Sequence, residues 1–590
     1  MKDFFKNVGA TMVGLLLFMI IMGIFAMLSI VGMVASTSSK PSLPLNSVLV
    51  LQMKGILGER STETPLAVFQ GNKIQNMGVN DIVYSIKIAK KNPKISGIYI
   101  ENDGFSAEPA QLEEIRNALK DFKKSHKWII AYGDSYGAGS YYLASVADKI
   151  YLNPQGEIDW KGIGGQMMYL KDALKKVDVR MVVMKVGKYK SATEMFTEDK
   201  MSDADREQTT RYLTGIWNTW LKGVSEARKI PVDSLNAYAD RLIATEDPKV
   251  FVKNKMVDGL LFADEMKAQV KKLLKLEEDD DIKQLTPGQL ISAVDGNKGG
   301  EKIAVYYASG EIVDYYNTSS LFPTKEQIVG DEFCKDMEEL MDDDDVKAVV
   351  LRVNSPGGSA FASEKMWHAI KKLKEKKPVV VSMSGMAASG GYYMSCGANW
   401  IVAEPTTLTG SIGIFGMIPD ASGLLTNKLG IKFDEVKTNK YSTILEPGRP
   451  ITAEELSYIQ SAIDRRYRVF LSRVAEGRKM SMAQVNDIAQ GHVYLAQDAK
   501  QIKLVDEFGG LNTALEKAAK LAHLDEYYYN EYPAPMDFFE QLNNISEGSN
   551  YLDDQMREVL GQFYEPFCML SSIRNQNRLQ ARLPYYILYN

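Results

Sequence analysis

The stretch "VKAVVLRVNSPGG", residues 346–358, is a short apolar, β-branched run ending in turn residues, the pattern of a buried strand. A second such run, "KISGIYIENDG", residues 94–104, lines up with it when Ile95 is set on Val346. The segments downstream of the two runs match as well. "AQLEEIRNALKDFKK" and "SEKMWHAIKKLKEKK" carry apolar residues at helical spacings, and "WIIAYGD" and "PVVVSMSG" are again apolar strands. From Ile95 to Tyr142 the offset between the copies is a constant 251. Farther on, "SDADREQ" (202–208) and "TAEELSY" (452–458) both open like capped helices, and "KMVDGLLF" (255–262) corresponds to "KLVDEFGG" (503–510). Two copies of alternating strands and helices define an α/β chain of two tandem repeats with largely parallel sheets.

The expected repeats are residues 47–276 and 302–534, joined by an acidic, Pro- and Gly-containing connector at 277–301. Residues 535–590, rich in Asn, Gln and aromatic residues, have no counterpart in the first half and form an extension of unassigned role. At the other end, residues 1–46, Lys2 and Lys6 precede a run from Val8 to Ser39 without a charge. Residues 9–35 of it are largely apolar and long enough for a hydrocarbon core of ~30 Å. A signal-peptide hydrophobic region is shorter, ~7–15 residues. The segment reads as a single transmembrane anchor with a cytoplasmic N-terminus and the body on the far side. Cleavage near "MVAS" stays open.

The 590 residues carry a net charge of -5, which argues against nucleic acid as a partner held by charge. Three widely spaced Cys exclude a disulfide framework, and neither they nor the four scattered His have the spacing of a metal site. No cofactor and no metal are expected.

Chemistry concentrates in the small-residue run that ends each matched segment, "SYGAGSYYLASVA" (135–147) and "SGMAASGGYYMSCGA" (384–398). Ala138 of the first stands where the second has Ser389. A Ser in a tight turn between strand and helix is exposed as a nucleophile turn requires, and Gly390 leaves room for an approaching acyl group. The glycines of "NSPGGS" (354–359) offer a second oxyanion donor. Close helix packing is the competing account of such a run. No His has an evident relation to Ser389, so a base would be a Lys whose pKa burial lowers. The first copy offers Lys190 in "VGKYKSATEMF" (186–196), after the β-like run "VRMVVMKV"; the second has "KTNKYSTILEP", which sets Ser442 on Lys190. One copy keeps the Lys and lacks the Ser, and the other does the reverse. A solvated surface lysine is the ordinary alternative for Lys190.

With these motifs in this order, the chain resembles the long form of bacterial signal peptide peptidase A, also called protease IV. The likeness runs through the anchor, both repeats, "NSPGGS", "SGMAASGGYY", "LTGSIGIFG" and "VGKYKSATEMF". The resemblance implies the fold of Clp protease and the crotonases, with Ser389 as nucleophile and Lys190 as general base. It also implies Ser411 orienting the Lys, and Gly358 and Gly390 as oxyanion donors. It further implies a homotetramer at the bacterial cytoplasmic membrane, with the body on the periplasmic or extracytoplasmic side. The partners would be membrane lipid, signal peptides and other hydrophobic peptides. A crotonase-like acyl enzyme and a non-enzymatic membrane scaffold are the two alternatives.

Overall fold

The computed structural model describes residues 2–37, 43–61, 78–294, 299–315, 326–534 and 579–582. The extension expected at 535–590 therefore lies outside the described residues, except for its four residues 579–582.

The first element is the helix Lys2–Thr37. Among the described residues no helix is long and apolar enough to cross a membrane. In this helix the described side chains run unbroken only over residues 9–25, where the large apolar ones are half or more exposed.

Each repeat has its own sheet, parallel throughout in the first and parallel except for the edge strand Val493–Leu495 in the second, and six strands of each correspond one to one. In the first the order is Gly259–Leu260, Lys149–Leu152, Trp128–Gly133, Ile95–Ser106, Ser47–Ile56, Gln284–Leu285. In the second, Glu507–Phe508, Trp400–Ala403, Val379–Ala388, Val346–Ser355, Glu301–Ser309 and Tyr527–Tyr532 take the same places, and Leu408–Gly410 and Val493–Leu495 extend the sheet. The central strands are buried on both faces, which is why they read as continuous apolar runs rather than as alternation.

Fine detail repeats with the strands. Tyr141 Oη donates to the Met256 carbonyl and Tyr392 Oη to that of Leu504. Asp258 accepts from Ile150 N and pairs with Arg228, as Asp506 does with Ile401 N and Arg478. The long helices Asp203–Arg228 and Ala453–Arg478 start at the expected caps, Ser202 accepting from Asp205 N and Thr452 from Glu455 N. The connector does more than join the repeats. Gln284–Leu285 pairs with Ser47–Ile56, and the helix Pro287–Val294 packs on Val79–Lys91.

A buried ionic cluster welds the repeats together. Arg352, on the central strand of the second, is fully buried; its guanidinium reaches Glu59 at 2.6 Å and Glu114 at 2.7 Å, both from the first. Glu108 accepts from Asn354 Nδ2 at 2.7 Å in the same interface.

A third sheet crosses between the copies. Its order is Gln327–Val329, Glu311–Val313, Gly357–Ser359, Leu579–Arg582, Ile414–Asp420, Arg180–Val186. The last strand belongs to the first repeat and runs antiparallel to Ile414–Asp420 of the second, with Val186 opposite Ile414 and Arg180 opposite Asp420. That pairing carries the chain after Val186 to the second repeat's small-residue turn. The second copy differs at the matching place: residues 431–437 form no strand, and Ser442 lies exposed in a turn, its hydroxyl on the Asn439 carbonyl.

Candidate active site

Ser389 ends the buried strand Val379–Ala388 and caps the short helix Gly390–Ser395. Its backbone has φ 54° and ψ −110°, a costly conformation for a residue with a Cβ. The turn is held from both sides: Ser389 N donates to the Gly410 carbonyl at 2.8 Å, and Tyr393 N donates back to the Ser389 carbonyl. The two glycines that come next are needed for packing. A Cβ on Gly390 would lie 2.7 Å from Ser363 Oγ, and one on Gly391 would lie 2.9 Å from the Ser355 carbonyl oxygen. The close packing expected of "AASGG" is present and permits the strained turn, but the exposure expected of a nucleophile turn is not: Ser389 is fully buried, with Lys190 on its hydroxyl.

Lys190 arrives from the first repeat. Its Nζ lies 2.8 Å from Ser389 Oγ, 2.9 Å from Ser411 Oγ and 3.2 Å from the Ser411 carbonyl oxygen. The side chains of all three residues are completely buried. Burial, the sole cause acting on it, pushes the Lys190 amine well below the usual lysine range. A neutral amine has two N–H donors and one lone pair. The Ser411 hydroxyl and carbonyl oxygens can take the donors, which leaves the lone pair for the Ser389 hydroxyl proton.

Ser411 is itself in a left-handed conformation, φ 52°, its N–H donating to the His492 carbonyl at 2.7 Å. It follows Leu408–Gly410, which pairs with Met386–Ala388 just before the nucleophile turn. One strand pair thus sets both hydroxyls.

The glycine turn of "NSPGGS" packs against the same point. A Cβ on Gly357 would lie 2.6 Å from Gly390 N and 3.0 Å from the Ala388 carbonyl oxygen. Gly358, the residue singled out from the sequence, comes next on the strand and pairs with Ile312. It is Gly357 that lies against Gly390.

Other supports of the Lys had no sequence signal of their own. Gly491 has φ 77°, and a Cβ there would sit 2.7 Å from both the Cβ and the backbone N of Lys190. Tyr189 N donates to the Gln490 carbonyl, closing the Lys loop onto this turn of the second repeat. On the other side Gln208 Nε2 donates to the Tyr189 carbonyl and to Ser191 Oγ, and Ser191 Oγ donates to Asp205. His492 packs edge-on against Tyr189, and burial depresses its imidazole to about 4. Only its backbone is bonded to Ser411.

Peptidase family S49 matches this chain twice, over residues 121–277 and 371–525, and the Clp protease family matches residues 320–402. The chain belongs to peptidase family S49. It is 36% identical over 509 residues to Protease 4 of Salmonella typhi, across 83% of this chain and 81% of that one. To Protease 4 of Haemophilus influenzae it is 35% identical over 527 residues, across 85% and 83%. The chloroplastic serine protease SPPA of Arabidopsis thaliana is 30% identical over 441 residues, across 74% and 64%. With one match in each repeat, the chain is of the long, two-repeat signal peptide peptidase A type.

Proposed function

We propose that this chain is a membrane-anchored serine endopeptidase that degrades signal peptides and other hydrophobic peptides left in the cytoplasmic membrane. Ser389 is its nucleophile and Lys190 its general base. The observation that carries this reading is the 2.8 Å approach of Lys190 Nζ to Ser389 Oγ, in a place where burial favours the neutral amine.

Lys190 takes the hydroxyl proton as Ser389 Oγ attacks a peptide carbonyl carbon. The resulting ammonium gives that proton to the leaving amine, so that the C–N bond breaks and an acyl-enzyme remains. Lys190, neutral again, then deprotonates a water that hydrolyses the ester and returns the proton to Ser389. Ser411 fixes the direction of the amine lone pair, and the N–H groups of Gly358 and Gly390 are the donors to the oxyanion. An acyl-CoA enzyme of this fold class would place carboxylates at the turn, whereas here an amine faces the hydroxyl.

Residues 9–35 supply the apolar span, with Lys2 and Lys6 in the cytoplasm and the body on the periplasmic or extracytoplasmic face. Assembly into a homotetramer has support from the strand pairing. Arg180–Val186 uses an edge on Ile414–Asp420 within the chain. Residues 431–437, at the place matching the first of those segments, are in no strand, and neither are residues 164–170 of the first repeat. Pairing between one copy's 431–437 and the next copy's 164–170 would repeat the internal contact head to tail, and a rotation that closes on itself would give a ring.

The deciding experiment is mass spectrometry of the purified protein after a fluorophosphonate, alongside the Lys190→Ala variant. Labelling of Ser389 that depends on Lys190 is expected. A folded protein that is not labelled overturns the reading and favours a scaffold.

A further inference from the structure

Lys190 and Ser411 lie in different repeats, and one short segment, residues 490–493, touches the loop of the first and the turn of the second. The Gln490 carbonyl accepts from Tyr189 N at 2.9 Å and the His492 carbonyl from Ser411 N at 2.7 Å, while Gly491 N donates to the Ile412 carbonyl at 2.9 Å. Val493 N, farther along, turns to a side chain and donates to Gln208 Oε1 at 3.1 Å. Gln208 stands on the long helix Asp203–Arg228 of the first repeat and is buried. The amide end of the same group faces the Lys190 loop. Its Nε2 lies 3.1 Å from the Tyr189 carbonyl oxygen, 3.2 Å from Ser191 Oγ and 3.0 Å from Asp205 Oδ1. Tyr189 and Ser191 flank Lys190 in the chain, and Ser191 Oγ donates in turn to Asp205 Oδ1 at 2.7 Å. The second copy, which has Ser442 in place of the Lys, uses its helix start otherwise. Tyr458, at the place of Gln208, is 56% exposed, and Glu455, at the place of Asp205, is bound by Arg449 and by Thr452 N. The buried carboxamide belongs to the copy that keeps the Lys.

We propose that Gln208 is a positioning residue: its carboxamide locks the Lys190 loop to the segment that holds Ser411, and so fixes the direction of the Lys190 amine toward Ser389. The inference rests on the reading of Lys190 as base and adds to it a residue that acts only through others. A carboxamide carries an acceptor and two donors in one plane, so a single buried group can bond both sides of the gap between the repeats. Of the groups bonded to Lys190 Nζ, the hydroxyl and carbonyl oxygens of Ser411 lie on the turn that His492 holds. Loop and turn must therefore keep their spacing for the amine lone pair to meet the Ser389 hydroxyl. Misplacement of about 1 Å is enough to cost roughly a hundredfold in rate. Such a loss is one of transition-state alignment, so it falls on kcat and leaves KM where it was.

The test uses the full-length, detergent-solubilised chain, an internally quenched peptide rich in leucine and alanine, and the rate and final extent of fluorophosphonate labelling at Ser389. Gln208→Met keeps the shape of the side chain and removes its acceptor and both donors. It is expected to lower kcat by roughly a hundredfold with KM within about twofold of wild type. Labelling of Ser389 should slow by a similar factor and still run to completion, because every folded molecule keeps its nucleophile and only the amine is misdirected. Ser191→Ala removes one acceptor on the loop side and leaves the helix intact, which keeps the proposal open to test if Gln208→Met fails to fold. It is expected to lower kcat by roughly tenfold on the same pattern. A kcat within about twofold of wild type in Gln208→Met, or in Ser191→Ala where the first does not fold, overturns the proposal. So does a loss that appears in KM, or labelling that stops short of completion but is normal in rate, since either would mean that Gln208 serves binding or folding alone. The comparison with Lys190→Ala separates this proposal from the reading beneath it. Labelling that depends on Lys190 and not on Gln208 overturns the positioning role alone, whereas labelling of the wild type that does not depend on Lys190 removes the base and the positioning role with it.

Discussion

Burial alone pushes the Lys190 amine well below its ordinary value, and that dictates how turnover answers to pH. Below the lowered pKa the side chain is an ammonium and has no lone pair to offer; above it the amine is free to accept the Ser389 proton. We expect kcat/KM to rise about tenfold per pH unit on the acid side and to level off toward alkaline pH. Lys190→Arg should be inactive throughout, because a guanidinium keeps its proton. A rate that falls from acidic to alkaline pH would rule out the amine as base. The second expectation concerns Gly491, whose missing Cβ makes room for Lys190 itself. Gly491→Ala should shift the Lys loop and lower kcat by roughly a hundredfold, as misplacement of about 1 Å can do. Rates within twofold of wild type, with an unchanged melting temperature, would show that the loop has slack. Ser389 and Lys190 were legible in the sequence because each copy keeps one group and replaces the other. Gly491 was not, since a glycine's reason for being there is the neighbour a side chain would strike, and that neighbour lies in the other repeat.

Among elements, those that make their own core were the readable ones. Val346–Ser355 and Ile95–Ser106 are buried on both faces, so their apolar runs declare them. Arg180–Val186 also reads as a strand, but nothing in it names its partner, Ile414–Asp420. Leu579–Arg582 carries no strand pattern at all and owes its conformation to the two edges beside it. The contact between the repeats was equally hidden, because its charged groups are surface-like residues in the sequence. Glu108 is one of them. Its carboxyl is pushed up to about 7, first by burial and then by the nearby Glu59. Between about 4.5 and 7 the folded chain thus holds a proton that the unfolded chain has released, so this group costs stability as pH rises through that window. Glu108→Gln, which keeps an acceptor for Asn354, should raise the melting temperature at pH 8 and change it little at pH 5. An equal shift at both values would mean that Glu108 is ionised in the folded chain across the whole range.

For the whole molecule, the two repeats announce themselves by a constant offset, and the way they interlock does not. The interlocking arises from contacts between residues hundreds of positions apart, for which a single sequence holds no record. The unused segment at residues 431–437 exposes Ile431, Phe433 and Val436, the last to 95%. If neighbouring copies pair through it, Val436→Asp should shift the detergent-solubilised protein toward the monomer in sedimentation while leaving fluorophosphonate labelling of Ser389 in place. An unchanged sedimentation coefficient would remove this edge from the assembly.

The strand pair of Arg180–Val186 with Ile414–Asp420 also has a hereditary side. It places the proposed base, Lys190, and the proposed nucleophile, Ser389, in opposite halves of a doubled gene, so that on the proposed reading neither half is an enzyme by itself. A break in the gene between the repeats would leave two silent products, and only their reunion in one cell would bring turnover back. Once the halves had divided the labour in this way, the doubling could no longer be undone.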